Sequence, residues 1–120
     1  MNSEIKNALI KNASISMADH GCLTYWLNLE FGSCVCSYGG YCIGHGYLGA
    51  TKFDGSPSGL VAMMRIMDVV GVSRWEDLNG KYVRVQFSGL GKPIDIIGNI
   101  IEDKWFNQRE FFAGEVDDAQ

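Results

Sequence analysis

Basic side chains are in deficit: ten Lys and Arg stand against fourteen Asp and Glu in 120 residues, a formal net charge of −4. The summed field of such a chain repels a phosphate lattice, which disfavours duplex nucleic acid but leaves room for a local Arg pocket around one small anion. Long apolar runs are missing too. No window reaches the ~18–20 continuous apolar residues of a membrane span, and the start MNSEIKNALIKN lacks the charged-then-apolar build of a secretory leader. The expected compartment is therefore the cytoplasm, with no membrane partner. Proline is scarce, two residues in all, and no linker or internal repeat breaks the chain. What is present is apolar matter, 47% of the residues. A chain of this length buries roughly two thirds of its unfolded surface. A single domain over residues 1–120 is expected, with a frayed acidic tail at about 114–120.

Alternation puts Ala13, Ile15 and Met17 on one side of a strand. After Asp19-His20-Gly21, the run Cys22–Phe31 resumes with Leu23, Tyr25, Leu27, Leu29 and Phe31 on one side, so the two segments read as a hairpin. From Gly32 to Gly49 the composition turns to Gly, Cys and Tyr. A third strand is expected around Gly40–Ile43, with the glycines marking bends or close backbone approach. Ser56-Pro57 supplies a cap hydroxyl and a Pro at the first helical position, and Gly71 stands where a left-handed terminator belongs. These signals predict a helix from about Pro57 to Val70, with a core stripe of Leu60, Met63, Met64, Met67 and Val70. Ser73 to Glu76 has capping-box spacing for a short helix reaching Leu78.

Lys81–Phe87 alternates with Val83, Val85 and Phe87 on one side. Ile94–Ile101 reads as a nearly continuous apolar strand, central or at a subunit contact. Glu102–Phe106 is expected to leave the sheet, and Gln108–Phe112 to form one helical turn. The order β-β-β-α-α-β-β describes a small α+β domain, a mostly antiparallel sheet packed by one main helix.

Four cysteines (Cys22, Cys34, Cys36, Cys42) and both histidines (His20, His45) crowd one stretch. Knuckle spacing for a structural zinc is absent, and Cys34-Val35-Cys36 on a strand sets its thiols too far apart for a tight chelate turn. An even cysteine count implies bridges in a secreted chain, so here the cysteines read as small packing residues of a reduced protein. A nucleophilic pair, Cys42 with His45 or Cys22 with His20, needs a meeting in space that sequence proximity does not establish. Gly39-Gly40 and Gly89-Leu90-Gly91-Lys92 offer unhindered N–H groups, yet neither is a Walker loop or a Rossmann turn, and both read first as hairpin bends. No cofactor is expected. Trp26, on the polar side of the second strand, and Trp105-Phe106, beyond the last, exceed what one sheet face needs. Surplus aromatics near Arg point to a subunit interface or a stacked base. Arg65, Arg84 and Arg109 are the candidates for a pyrophosphate, because a guanidinium fork matches two phosphate oxygens.

Three segments carry a resemblance: Asp19-His20-Gly21-Cys22-Leu23-Thr24-Tyr25-Trp26-Leu27-Asn28-Leu29-Glu30-Phe31-Gly32 with Tyr38-Gly39-Gly40-Tyr41; Gly71-Val72-Ser73-Arg74-Trp75-Glu76-Asp77-Leu78-Asn79-Gly80-Lys81-Tyr82-Val83-Arg84-Val85; and Asp103-Lys104-Trp105-Phe106. Together, over about residues 5–107, the chain resembles the phage and prophage proteins of the first Thoeris anti-defence family. The resemblance implies a non-enzymatic sponge in the cytoplasm of the infected bacterial host. Such a protein binds glycocyclic ADP-ribose isomers made by TIR-domain defence proteins and withholds them from the downstream effector. It further implies homodimers or multiples of dimers, nucleotide pockets where subunits meet, and in some members separate sites for cyclic oligonucleotides.

A cyclic ADP-ribose isomer carries an adenine, two riboses and a pyrophosphate. Phe87 is the candidate to stack on the adenine and Asn99 to pair with its edge. Arg109, with Arg84, is the candidate grip on the diphosphate. Gly39, Gly40 and Tyr41 allow close approach, and Trp105 completes the ligand-binding set. If residues 81–87 and 94–101 pair as a hairpin, Phe87 lies near Ile94 and Asn99 near Tyr82, roughly 17 Å apart along the strands. That separation favours a pocket between subunits. No catalytic residue and no metal is expected. The alternatives are a small nucleotide-degrading hydrolase or lyase acting through Cys42, His20 or His45, and a structural phage interaction protein whose aromatics form an oligomer interface.

Overall fold

The alternating segments become two long antiparallel strands, β1 (Glu4–Asp19) and β2 (Cys22–Phe31), joined by a turn in which His20 and Gly21 both take positive φ. The computed structural model describes residues 4–46, 49–89 and 91–118, with backbone alone at 18, 19 and 115–118. After this pair come β3 (Cys34–Gly39), β4 (Gly44–His45), β5 (Asp54–Gly55) and helix α1 (Pro57–Val70). A 3-10 turn over Trp75–Leu78, β6 (Tyr82–Phe87), β7 (Ile96–Gly98), β8 (Trp105–Asn107) and helix α2 (Gln108–Asp118) complete the order. Every pairing is antiparallel, in the order β5-β4-β2-β1-β6-β7-β8, with β3 sharing an edge of β2 with β4. The fold is α+β, a curled antiparallel sheet with two helices. Among the described residues no helix is long and apolar enough to cross a membrane.

β1 is the spine. Residues Glu4–Leu9 pair with β6 on one edge, and Leu9–Asp19 pair with β2 on the other. This stagger curls the sheet. A bulge between Lys11 and Ser14, with Asn12 at φ 54°, bends the strand where the two ladders hand over. The Ala13 amide at the bulge donates to Asn79 Oδ1 at 2.8 Å. The expected strand near residues 13–17 is thus the second half of a longer one. Its first half alternates too weakly to read as a strand and is held by pairing, not by a strong apolar pattern.

One face of the sheet carries Ala8, Ile10, Tyr25, Leu27, Leu29, Val83, Val85, Ile97 and Phe106, all buried. Against it lies α1, whose cap signals hold. Ser56 Oγ accepts from the Gly59 amide at 3.1 Å, Pro57 opens the helix, and Gly71 at φ 92° closes it by donating to the Met67 carbonyl. The phase of the helix differs from expectation. Gly59, Ala62, Ile66 and Val69 are buried, whereas Leu60 and Met64 are 62% exposed each. Both stripes are largely apolar, and closeness decides between them: a Cβ on Gly59 would collide with the Ile43 side chain. The small-residue face lets the helix approach the sheet most nearly, so it wins the core.

Five further expectations are corrected. The third strand lies at Cys34–Gly39, ahead of Gly40–Ile43. The Ile94–Ile101 run contributes only Ile96–Gly98 to the sheet and lies toward its edge, because Asn99 turns the chain. Trp105–Asn107 returns to pair with β7 instead of leaving. α2 runs to Asp118 where a single turn and a frayed tail were expected, residues 119 and 120 lying outside the described residues. The Ser73 capping box is also not formed; Arg74 precedes the 3-10 turn without a side-chain cap.

Cysteines differ from expectation as well. Cys22 and Cys42 form a disulfide, with Cα atoms 5.3 Å apart, while Cys34 and Cys36 are free. Closing a loop over a sequence separation of 20 restricts the unfolded chain and contributes about 3 kcal/mol in the chain-entropy treatment.

The phase of α1 is open to a direct check by urea unfolding. Ile66→Ala is expected to cost about 2–5 kcal/mol through the cavity it leaves. Leu60→Ala, on the face turned away from the sheet, is expected to cost no more than about 0.5 kcal/mol when unfolding is measured at protein concentrations low enough to keep the chain monomeric.

Candidate functional site

Arg109, the second residue of α2, is exposed, and its position is set by its neighbours in sequence. The Gln108 amide donates to the Asp95 carbonyl at 3.0 Å, and Asn107 Oδ1 accepts from the Glu110 amide at 3.1 Å, capping the helix start. The Gln108 side chain is buried. Its Oε1 accepts from the Tyr25 hydroxyl at 2.8 Å and its Nε2 donates to Asp95 Oδ1 at 3.3 Å. The start of α2 is thereby tied to β2 and to the residue just before β7.

Two open cavities flank Arg109. One, of about 400 Å³, is lined by Gly39, Gly40, Tyr41, Pro93, Asp95 and Arg109. The other, of about 350 Å³, adds Gln86, Ser88, Lys92, Ile96 and Asn107 to the shared Pro93, Asp95 and Arg109. The two form a cleft with two lobes, holding two cations and one carboxylate. No cysteine or histidine lines either lobe.

Glycine shapes the wall of the first lobe. Gly39, at φ 124°, lies so near the Tyr25 carbonyl that a Cβ would strike it, and the Gly40 amide donates to the same oxygen at 2.9 Å. The Trp26 ring lies across Gly40, leaving no space for a side chain there. Close backbone approach, one of the two sequence readings, is what these glycines serve. Tyr41 stacks on Phe112, centroids 4.4 Å apart and planes at 20°. Partial burial, then the Asp95 carboxylate, push its hydroxyl pKa up, with Arg109 opposing the shift. Beneath, the fully buried Tyr38 hydroxyl has no hydrogen-bond partner among the described residues.

Of the sequence-predicted ligand residues, the structure brings Gly39, Gly40, Tyr41 and Arg109 into one cavity. Arg84, Asn99 and Trp105 form a second group. Arg84 Nε donates to the Asn99 carbonyl at 2.6 Å and its Nη2 to the Glu102 carbonyl at 2.7 Å, while the guanidinium carbon sits 4.6 Å from the Trp105 ring centroid. The Trp105 ring lies directly across Gly98, which is the cross-strand partner of both Arg84 and Trp105. Asn99 Nδ2 donates to the Val69 carbonyl at 2.8 Å, and its Oδ1 accepts from the Ile101 and Glu102 amides. These side chains fold the 99–104 turn onto the end of α1.

Phe87 belongs to neither group. It meets Phe31 edge-on at 5.0 Å and lines a cavity of about 540 Å³ with Glu4, Lys6, Asn7 and Cys34. The β6–β7 register is Arg84↔Gly98, one residue off the expected pairing. Counted in that register, Phe87 and Asn99 are about 14 Å apart along the strands. Sequence reasoning missed Lys92, Asp95 and Gln108. A lone basic residue inside a Gly-rich connection was the available signal for Lys92; nothing in the sequence marks the other two. No protein-family model, curated protein or solved structure matches this chain.

Asn99 and Arg109 separate a side chain spent on the fold from one that makes no hydrogen bond among the described residues. In chemical denaturation, Asn99→Ala is expected to lower stability by about 1–3 kcal/mol, since backbone groups lose their partners. Arg109→Ala, which breaks no hydrogen bond among the described residues, is expected to shift it by no more than about 0.5 kcal/mol.

Proposed function

We propose that the chain is a stoichiometric binder that captures a cyclic ADP-ribose isomer intact, a sponge of the Thoeris anti-defence kind acting in the cytoplasm of an infected bacterium. The observation that carries this reading is the convergence on one cavity of Arg109 with Gly39, Gly40 and Tyr41, residues far apart in the chain. Arg109 and Lys92 both line the second lobe, and a guanidinium and an ammonium are the donors a diphosphate needs. Asp95 is suited to accept from a ribose hydroxyl. The Tyr41 ring, stacked on Phe112, offers a flat flank.

On this reading a second copy of the chain completes the pocket. Phe87 lies in a separate cavity from Arg109, so a single ligand meets both only if they come from different subunits. The exposed Leu60, Val61 and Met64 on α1 supply apolar area for contact between copies. A homodimer or a multiple of dimers follows as part of the proposal.

Emptying a signal held at sub-micromolar levels requires a binding free energy of about −10 kcal/mol or better. The test is capture and release. Excess protein is incubated with a glycocyclic ADP-ribose, the free ligand is measured, and the mixture is then heated. Depletion before heating and return of unchanged ligand afterwards are expected. Altered ligand, or clearance by substoichiometric protein, would favour an enzyme instead, and no uptake of any cyclic nucleotide would leave a structural role. Arg109→Ala is expected to weaken capture about 10–100-fold, the loss of a charge-assisted hydrogen bond, while leaving the fold intact.

A further inference from the structure

Outside the lining of the cleft lies a set of soft donors that the proposed binding does not use. Cys22 opens β2 and is the ladder partner of His45 in β4, so their side chains leave one face as opposed neighbours. Cys42 arrives from the segment ahead of β4, three residues before His45. The backbone around them is fastened on both sides: the Ile43 amide donates to the Leu23 carbonyl and the Gly46 amide to the Gly21 carbonyl, each at 2.8 Å. One donor atom from each of the three residues lies within 4.8 Å of the other two, the only such group of three among the described residues. Cys42 Sγ is 3.6 Å from His45 Nε2. A sulfur and a nitrogen bound to one tetrahedral zinc, at ~2.3 and ~2.05 Å, stand about 3.6 Å apart. The imidazole therefore already occupies a ligand's place relative to Cys42.

We propose that Cys22, Cys42 and His45 form a redox-gated site for a thiophilic divalent cation, with zinc as the ion that suits the donors. In the disulfide state each sulfur is committed to the other and no thiolate is free. A dithiol reductant delivers two electrons and two protons to the bridge. The S–S bond breaks, two thiols form, and the reductant leaves as its own disulfide. Zinc then displaces both thiol protons to solvent, making two Zn–S bonds and one Zn–N bond to His45 Nε2, with water in the fourth position on the exposed side. The sulfurs need only part to about 3.8 Å, the separation of two thiolates on one tetrahedral ion, a change within reach of side-chain rotation. Cys34 and Cys36 lack these features. They sit two apart on β3, no imidazole completes a group of three with them, and burial together with Cys34 pushes the Cys36 thiol pKa up. Disulfide and zinc thus become alternative ties between the start of β2 and the segment that follows Gly39-Gly40-Tyr41.

The test uses the full chain carrying Cys34→Ser and Cys36→Ser, reduced with a phosphine and stripped of metal. Zinc is titrated against a chromogenic chelator, and cobalt is used to read the thiolate charge-transfer band. One ion per chain and release of two protons are expected from the reduced protein, and no uptake from the oxidised one. Cys42→Ser and His45→Ala should each weaken binding by at least about tenfold. Because a serine or alanine variant can lose its fold, the unaltered reduced chain provides a second readout: zinc should protect Cys22 and Cys42, and not Cys34 and Cys36, from alkylation located by peptide mass. Equal alkylation of Cys22 and Cys42 with and without zinc would overturn the proposal, as would affinity unchanged by His45→Ala in a folded variant.

Discussion

The cleft depends on one buried hydrogen bond, from the Tyr25 hydroxyl on β2 to Gln108 at the start of α2. Both side chains are out of solvent, so neither has water as an alternative partner. Losing either would strand the other at a cost of about 1–3 kcal/mol. Burial raises the Tyr25 pKa, keeping the phenol a donor across the physiological range. Trp75 braces the ring from the 3-10 turn, edge-on at 5.8 Å. Through Gln108 the same link reaches Asp95, so three distant segments share one fastening, and Arg109 follows one residue later.

A second constraint recurs: aromatic rings laid over glycine. Trp26 covers Gly40, Phe53 covers Gly46 and Trp105 covers Gly98. At each place the absent side chain is the seat of a ring. Rings seated this way sit nearer the sheet than packing over a Cβ permits, and the surplus of aromatics noted in the sequence is absorbed partly by this means. Trp105 in particular serves the β6–β8 edge together with Arg84.

Legibility followed the range of the signal. The boundaries of α1 were readable because Ser56, Pro57 and Gly71 act within a turn of themselves. Its phase was not, since the deciding contact is with Ile43 in a different segment. β8 was illegible because a three-residue strand exists only by virtue of its partner. Asn99 was read as a base-pairing amide on residue type alone; its Oδ1 is taken up by amides of its own turn and its amino group by the Val69 carbonyl of α1. Of the cleft, Arg109 and the Gly39–Tyr41 wall were accessible as residue types suited to a phosphate and a close approach. Lys92 and Asp95 join them through the path of the 88–95 connection, which alternation and capping do not encode. The Cys22–Cys42 link was set aside on grounds of compartment, whereas the β2–β4 pairing brings the two thiols together.

The Cys22–Cys42 bridge closes a covalent ring around residues 22–42, and Tyr25, Gly39, Gly40 and Tyr41 all lie inside it. The tip of the β2–β3 hairpin, at Gly32 and Ser33, is an exposed turn of the kind proteases cut. A single cut there leaves both halves joined, with the ladder between them and the glycine wall still in place. Persistence after nicking is thus built into the one wall of the cleft that carries the closest backbone approach.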